Sequence, residues 1–158
     1  MAATPSIDFS LFPELRYLKI EQNARRAGTS IFSDDILESF TKILDTAKPA
    51  IKLQHLDLRI RIPFIDAATT LPNIDRFRPE TIQELQVLDT KLTGHLFQSL
   101  RTVIFCVIVE LENAELHDPE SDSYATNFRR GCERRLKAAL SRLFLSTAIT
   151  LDVLVRFS

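Results

Sequence analysis

Residues 103–109 read VIFCVIV, the longest unbroken apolar run of the chain and one without a charge. β-Branched side chains dominate it, which suits a pleated strand, and a strand apolar on both sides needs cover on both faces. Such cover is usual in parallel sheets, where crossover helices lie over the strands. The run is far too short to cross a bilayer. It therefore predicts a buried central strand, and α/β is the fold class to expect.

Working outward, the strand is read over 100–110, and three further segments carry strand patterns. LQHLDLRIRI (53–62) sets Leu56, Leu58, Ile60 and Ile62 against His55, Asp57, Arg59 and Arg61. One of its faces should meet solvent, and Pro63 is expected to end it. Strands are likewise read at 15–21, LRYLKIE, and at 148–157, where Leu151, Val153 and Val155 alternate with Asp152, Leu154 and Arg156. Helices are expected between them, over 33–48, 79–97 and 124–146. Ser33 is a suitable N-cap for the first, which carries Ile36, Leu37, Phe40, Ile43 and Leu44 at helical spacing and stops at Pro49. Pro79 suits the first turn of the second, whose stripe is Ile82, Leu85, Leu88, Leu92 and Leu96, with Gly94 a weak point. The third has Phe128, Cys132, Leu136, Ala139, Leu140, Leu143 and Phe144 as its apolar side.

The composition excludes several classes. The chain has 158 residues, enough for one domain burying roughly 68–70% of its unfolded surface. With 45% hydrophobic and 26% charged residues and a formal net charge of -1, it is neither a disordered nor a broadly polyanion-seeking composition. Cys106 lies in the apolar run and Cys132 on a helical stripe, so reduced thiols are expected rather than a disulfide framework. The first ten residues, MAATPSIDFS, lack a basic region followed by an apolar one, and no transmembrane-length run occurs. The expected location is cytoplasmic or nuclear, without membrane association.

The strands share one pattern, apolar-x-x-apolar-x-apolar: Leu15/Leu18/Ile20, Leu53/Leu56/Leu58, Leu100/Val103/Phe105 and Ala148/Leu151/Val153. Successive starts are 38, 47 and 48 residues apart, so each unit is a strand plus a helix and its loops. The expected architecture over residues 1–158 is one repeat domain, a short leucine-rich-repeat-like solenoid of about four β-α units with a parallel sheet. A small doubly wound sheet shares the element order but places helices on both faces.

FPELRYLKI, LQHLDLRI and the block LQVLDTKLTGHLFQSLRTVIF with its following strand resemble the C-terminal repeat region of fungal F-box proteins of the leucine-rich-repeat type, notably of basidiomycetes. The resemblance covers residues 9–157 and implies a protein-binding role in substrate recognition for a ubiquitin ligase. In that family an F-box recruits the ligase scaffold through an adaptor. Here the first strand begins within about fifteen residues of Met1 with no F-box-like segment before it. The expectation is thus a fragment or a stand-alone recognition module, with an adaptor partner only if an F-box lies upstream.

On the solenoid reading one face collects Tyr17, Lys19 and Glu21, then Asp57, Arg59 and Arg61, then Ile104, Cys106 and Ile108, then Asp152, Leu154 and Arg156. Its third row is apolar among charged neighbours, the pattern of an interface with a dry centre and a polar rim. A second candidate is the basic helix with Arg129, Arg130, Arg134, Arg135 and Lys137, a possible nucleic-acid contact, although the acidic 110–122 segment just before it argues for mutual screening. Gly28, Thr29 and Ser30, near Arg25 and Arg26, are placed for phosphate but lack either glycine motif. His55 and Asp57 fall on one strand face as an acid/base pair would, yet an ordinary polar face explains them. His55, His95 and His117 lack metal-ligand spacing, and 110–122 lacks the ligand order of a calcium loop. No catalytic residue, metal or cofactor is assigned.

Overall fold

Four parallel strands pair in the order in which the chain makes them, β1-β2-β3-β4. The computed structural model describes residues 8–24, 34–47, 51–65, 79–111 and 123–158. Along the chain come β1 (Tyr17–Asn23), α1 (Asp34–Leu44), β2 (His55–Ile65), α2 (Pro79–Leu92), β3 (Thr102–Leu111), α3 (Ser123–Ala139), α4 (Ser141–Leu145) and β4 (Thr150–Phe157). Single 3-10 turns at Phe9–Leu11 and His95–Phe97 precede β1 and β3.

The register gives the repeat a physical form. Tyr17 pairs with His55, His55 with Thr102 and Thr102 with Thr150, offsets of 38, 47 and 48 residues that match the spacing of the sequence pattern. Equivalent pattern positions therefore lie side by side. The turn before each strand repeats as well: Gln54 and His55 donate backbone N–H groups to the Arg16 carbonyl, Arg101 and Thr102 to that of Gln54, and Thr150 to that of Arg101. Leu53 and Leu100, the first residues of two pattern copies, sit just ahead of their strands and are fully buried.

One core serves all four strands. It takes Ile20 from β1, Leu56 to Ile62 on one side of β2, Val103 to Val109 on one side of β3, and Val153 and Val155 from β4. The four described helices pack on this same side, α1 through Leu37 and Phe40, α2 through Leu85 and Leu88, α3 through Phe128 and Leu136, and α4 through Leu143. The order has no reversal point at which a doubly wound sheet would switch sides.

Several local expectations are revised. Strand β2 continues past Ile62 to Ile65, with a register shift in its pairing to β3 between them. Pro63, which has no N–H to donate, sits inside that shift, where a ladder bond is dispensable. Ile82 and Phe144, expected in the core, are exposed, and the buried side of α2 instead includes Thr81 and Asp89. The segment read as one helix over 124–146 is two. Leu140 leaves helical geometry (φ −97°, ψ 43°), and the next backbone N–H groups turn to a side chain. Arg142 donates to Asp89 Oδ2 at 3.0 Å and Leu143 to Oδ1 at 2.9 Å, so a carboxylate from α2 caps α4 across 53 and 54 residues of sequence. A side-chain acceptor in the i→i−4 ladder is a recognised cause of such a break. Gly94 falls after α2 rather than within it, and an added Cβ would meet the Lys91 carbonyl oxygen at 3.2 Å.

Candidate binding face

Strand alternation turns every second residue away from the helices, and the parallel register aligns those residues into rows across the sheet. Lys19, Asp57, Ile104 and Asp152 form one row; Glu21, Arg59, Cys106 and Leu154 the next; and Asn23, Arg61, Ile108 and Arg156 a third. Tyr17, His55, Thr102 and Thr150 flank them at the strand starts. The residues singled out on the four strands are thus brought onto one face. None of the described helices covers it, because all four contribute to the core on the opposite side.

Charged side chains tie the rows together. Asp57 is only 2% exposed and accepts from Arg59 Nε at 3.0 Å on Oδ1 and from its terminal nitrogen at 3.0 Å on Oδ2. The Tyr17 hydroxyl donates to Asp57 Oδ2 at 3.4 Å. Hydrogen bonding to Asp57 raises the Arg59 pKa, so the guanidinium is held more firmly protonated. Arg61 bridges two neighbouring strands, donating to Glu21 on β1 at 2.9 Å and to Glu110 on β3 at 2.7 Å. Those two bonds, Glu110 first, raise its pKa as well. Asp57 is therefore engaged by Arg59 and Tyr17.

The apolar outward positions of β3, Ile104, Cys106 and Ile108, differ from the expectation of an open dry centre. Cys106 is 1% and Ile108 8% exposed although neither belongs to the helix-side core. Ile104 and Leu154 are half-buried, while Tyr17, Lys19, His55, Asp152 and Arg156 are exposed. Burial raises the Cys106 thiol pKa, against the opposing pull of Arg156 and Arg59. Arg59 on the neighbouring β2 and Arg156 on the neighbouring β4 are near enough to act on Cys106 electrostatically. The accessible part of the face is consequently its start, around Tyr17, Lys19 and Ile104, together with the outer strand residues Asp152, Leu154 and Arg156. Alternation alone could not reveal this, since it reports direction and not burial.

The basic candidates are dispersed over α3. Arg129 lies with its guanidinium 5.3 Å from the Phe157 ring, a cation–π contact that ties the helix to β4. Arg130 and Arg134 are exposed one turn apart, Arg135 is half-buried, and Lys137 Nζ stands 5.9 Å from the Phe144 ring. Gly28, Thr29, Ser30, Arg25, Arg26, Ser33, His117 and most of the acidic 110–122 segment fall outside the described residues. Among the described residues no group of three or more His, Cys, Asp or Glu side chains is arranged to hold a metal ion. No described helix is long and apolar enough to cross a membrane. No family model, curated protein or solved structure matches the chain.

Proposed function

We propose that this protein is a protein-recognition module that docks its target on the helix-free sheet face, in the manner of the substrate-binding repeats of an F-box ubiquitin-ligase receptor. The observation that carries the reading is the in-register face itself, uncovered by the described helices and laced by the Asp57–Arg59 and Glu21–Arg61–Glu110 contacts. A rigid face loses little side-chain freedom on binding, which lowers the cost of association. Tyr17, Lys19, Ile104, Asp152, Leu154 and Arg156 make the contacts, Asp57, Arg59 and Arg61 hold the surface in shape, and Cys106 and Ile108 form its floor. The repeat architecture is read as a short leucine-rich-repeat-like solenoid, which the shared register offsets favour. A ligase connection follows only where an F-box is joined to the module.

Lys19, Arg59, Arg61 and Arg156 balance Glu21, Asp57, Glu110 and Asp152 on this face. Net charge would then not select the partner; shape and a small apolar centre would, with Tyr17 as the aromatic anchor favoured at energetic centres of interfaces. The test compares quantitative affinity capture by the wild type, a Tyr17→Ala/Ile104→Lys variant and a Gln86→Lys control at an exposed position on the helix side. The expected outcome is a defined set of proteins lost by the face variant and kept by the control. Identical captures from all three would overturn the assignment.

A further inference from the structure

The break between α3 and α4 has a consequence on the outer surface. By drawing the Arg142 and Leu143 N–H groups to itself, Asp89 buries Leu143 and leaves the two following side chains outward, Phe144 52% and Leu145 76% exposed. They border a hollow of about 530 Å³ whose other wall includes Arg130, Glu133, Arg134 and Lys137. Arg130, Arg134 and Lys137 recur at helical spacing and share one side of α3. Among the described residues, no ion pair engages Arg130 or Arg134. Three cations thus face one carboxylate beside an exposed apolar pair.

We infer that this hollow is a second docking site, for an acidic peptide segment that carries a large apolar side chain among Asp and Glu residues. Charge complementarity selects the acidic residues, and Phe144 and Leu145 supply the surface against which the apolar side chain loses water. A nucleic acid fits these features less well. Its bases need a free aromatic face, whereas Lys137 already stands over the Phe144 ring, and a phosphate backbone has no use for Leu145. Glu133 within the wall also opposes a continuous polyanion but leaves room for spaced carboxylates. The site lies on the helix layer, remote from the face proposed for target docking, and does not depend on that proposal.

The experiment uses fluorescence anisotropy of the full chain with a labelled synthetic peptide in which Asp and Glu flank a Phe and a Leu one helical turn apart. Saturable binding that weakens with salt is expected. Arg130→Glu/Arg134→Glu should weaken it by about tenfold or more, since two exposed attractions become repulsions. Phe144→Ser/Leu145→Ser, at exposed positions, should weaken it several-fold with unchanged circular dichroism. No saturable binding, or binding indifferent to the Phe144/Leu145 change, would overturn the inference. So would tighter binding of a single-stranded oligonucleotide or of anionic lipid vesicles, which would assign the cations to nucleic acid or to a membrane surface.

Discussion

Asp89 is 3% exposed, and both of its oxygens are satisfied by backbone groups of another helix. Its sequence position shows only a polar residue beside Leu88, so nothing local announces a cap for an element more than fifty residues away. Asp89→Ala leaves two N–H groups without their acceptor and is expected to cost about 3 kcal/mol in urea unfolding at constant m-value. Asp89→Asn, which retains one acceptor oxygen, should cost about half as much. An unchanged midpoint for the alanine variant would show that water replaces the carboxylate. Cys106 makes a different residue-scale prediction. Its thiol pKa is raised by burial, so the folded state keeps the proton longer than the unfolded state does. Its contribution is complete below the ordinary thiol pKa of about 8.5 and is lost as pH climbs from there through the raised folded value. Urea midpoints between neutral and alkaline pH should therefore fall less steeply for Cys106→Ala than for the wild type. Equal slopes would refute it.

At the scale of elements, β3 shows how much an apolar run conceals. Val103 and Ile104 are adjacent in VIFCVIV, yet Val103 is buried beneath the helices and Ile104 lies half-buried between Asp57 and Asp152 in the register. A lysine is therefore expected to have opposite consequences at the two sites. Val103→Lys places an unpaired charge in the core and should cost at least about 3 kcal/mol, enough to compromise folding. Ile104→Lys gains two acidic cross-strand neighbours and should stay within about 1 kcal/mol of wild type. Comparable losses in chemical denaturation would mean that both faces of β3 are core. The positions of all four strands were legible because alternation and the repeated pattern are local signals. Helix ends and the two faces of β3 were less so: Phe144 matches the apolar spacing of α3, and only the break at Leu140 turns it to solvent.

Across the whole molecule the sheet is graded. Among the described strands β2 and β3 are paired on both sides and contribute the deepest rows of the core, whereas β1 and β4 each have a single paired neighbour and alternate exposed positions. Amide hydrogen exchange should accordingly be slowest for Leu58, Ile60, Phe105 and Val107 and measurably faster in β1. Uniform protection across the four strands would indicate instead that the outer edges are covered in solution. The four parallel strands, the helices between them and the residues sharing each strand face follow from spacing in the chain, because strand and helix periods dictate side-chain direction locally. The side of the sheet taken by the helices, the sealing of Cys106 and Ile108, and the cap that Asp89 provides for α4 depend on distant segments meeting. Burial and hydrogen-bond satisfaction are properties of that assembled neighbourhood, and no short stretch of the chain contains them.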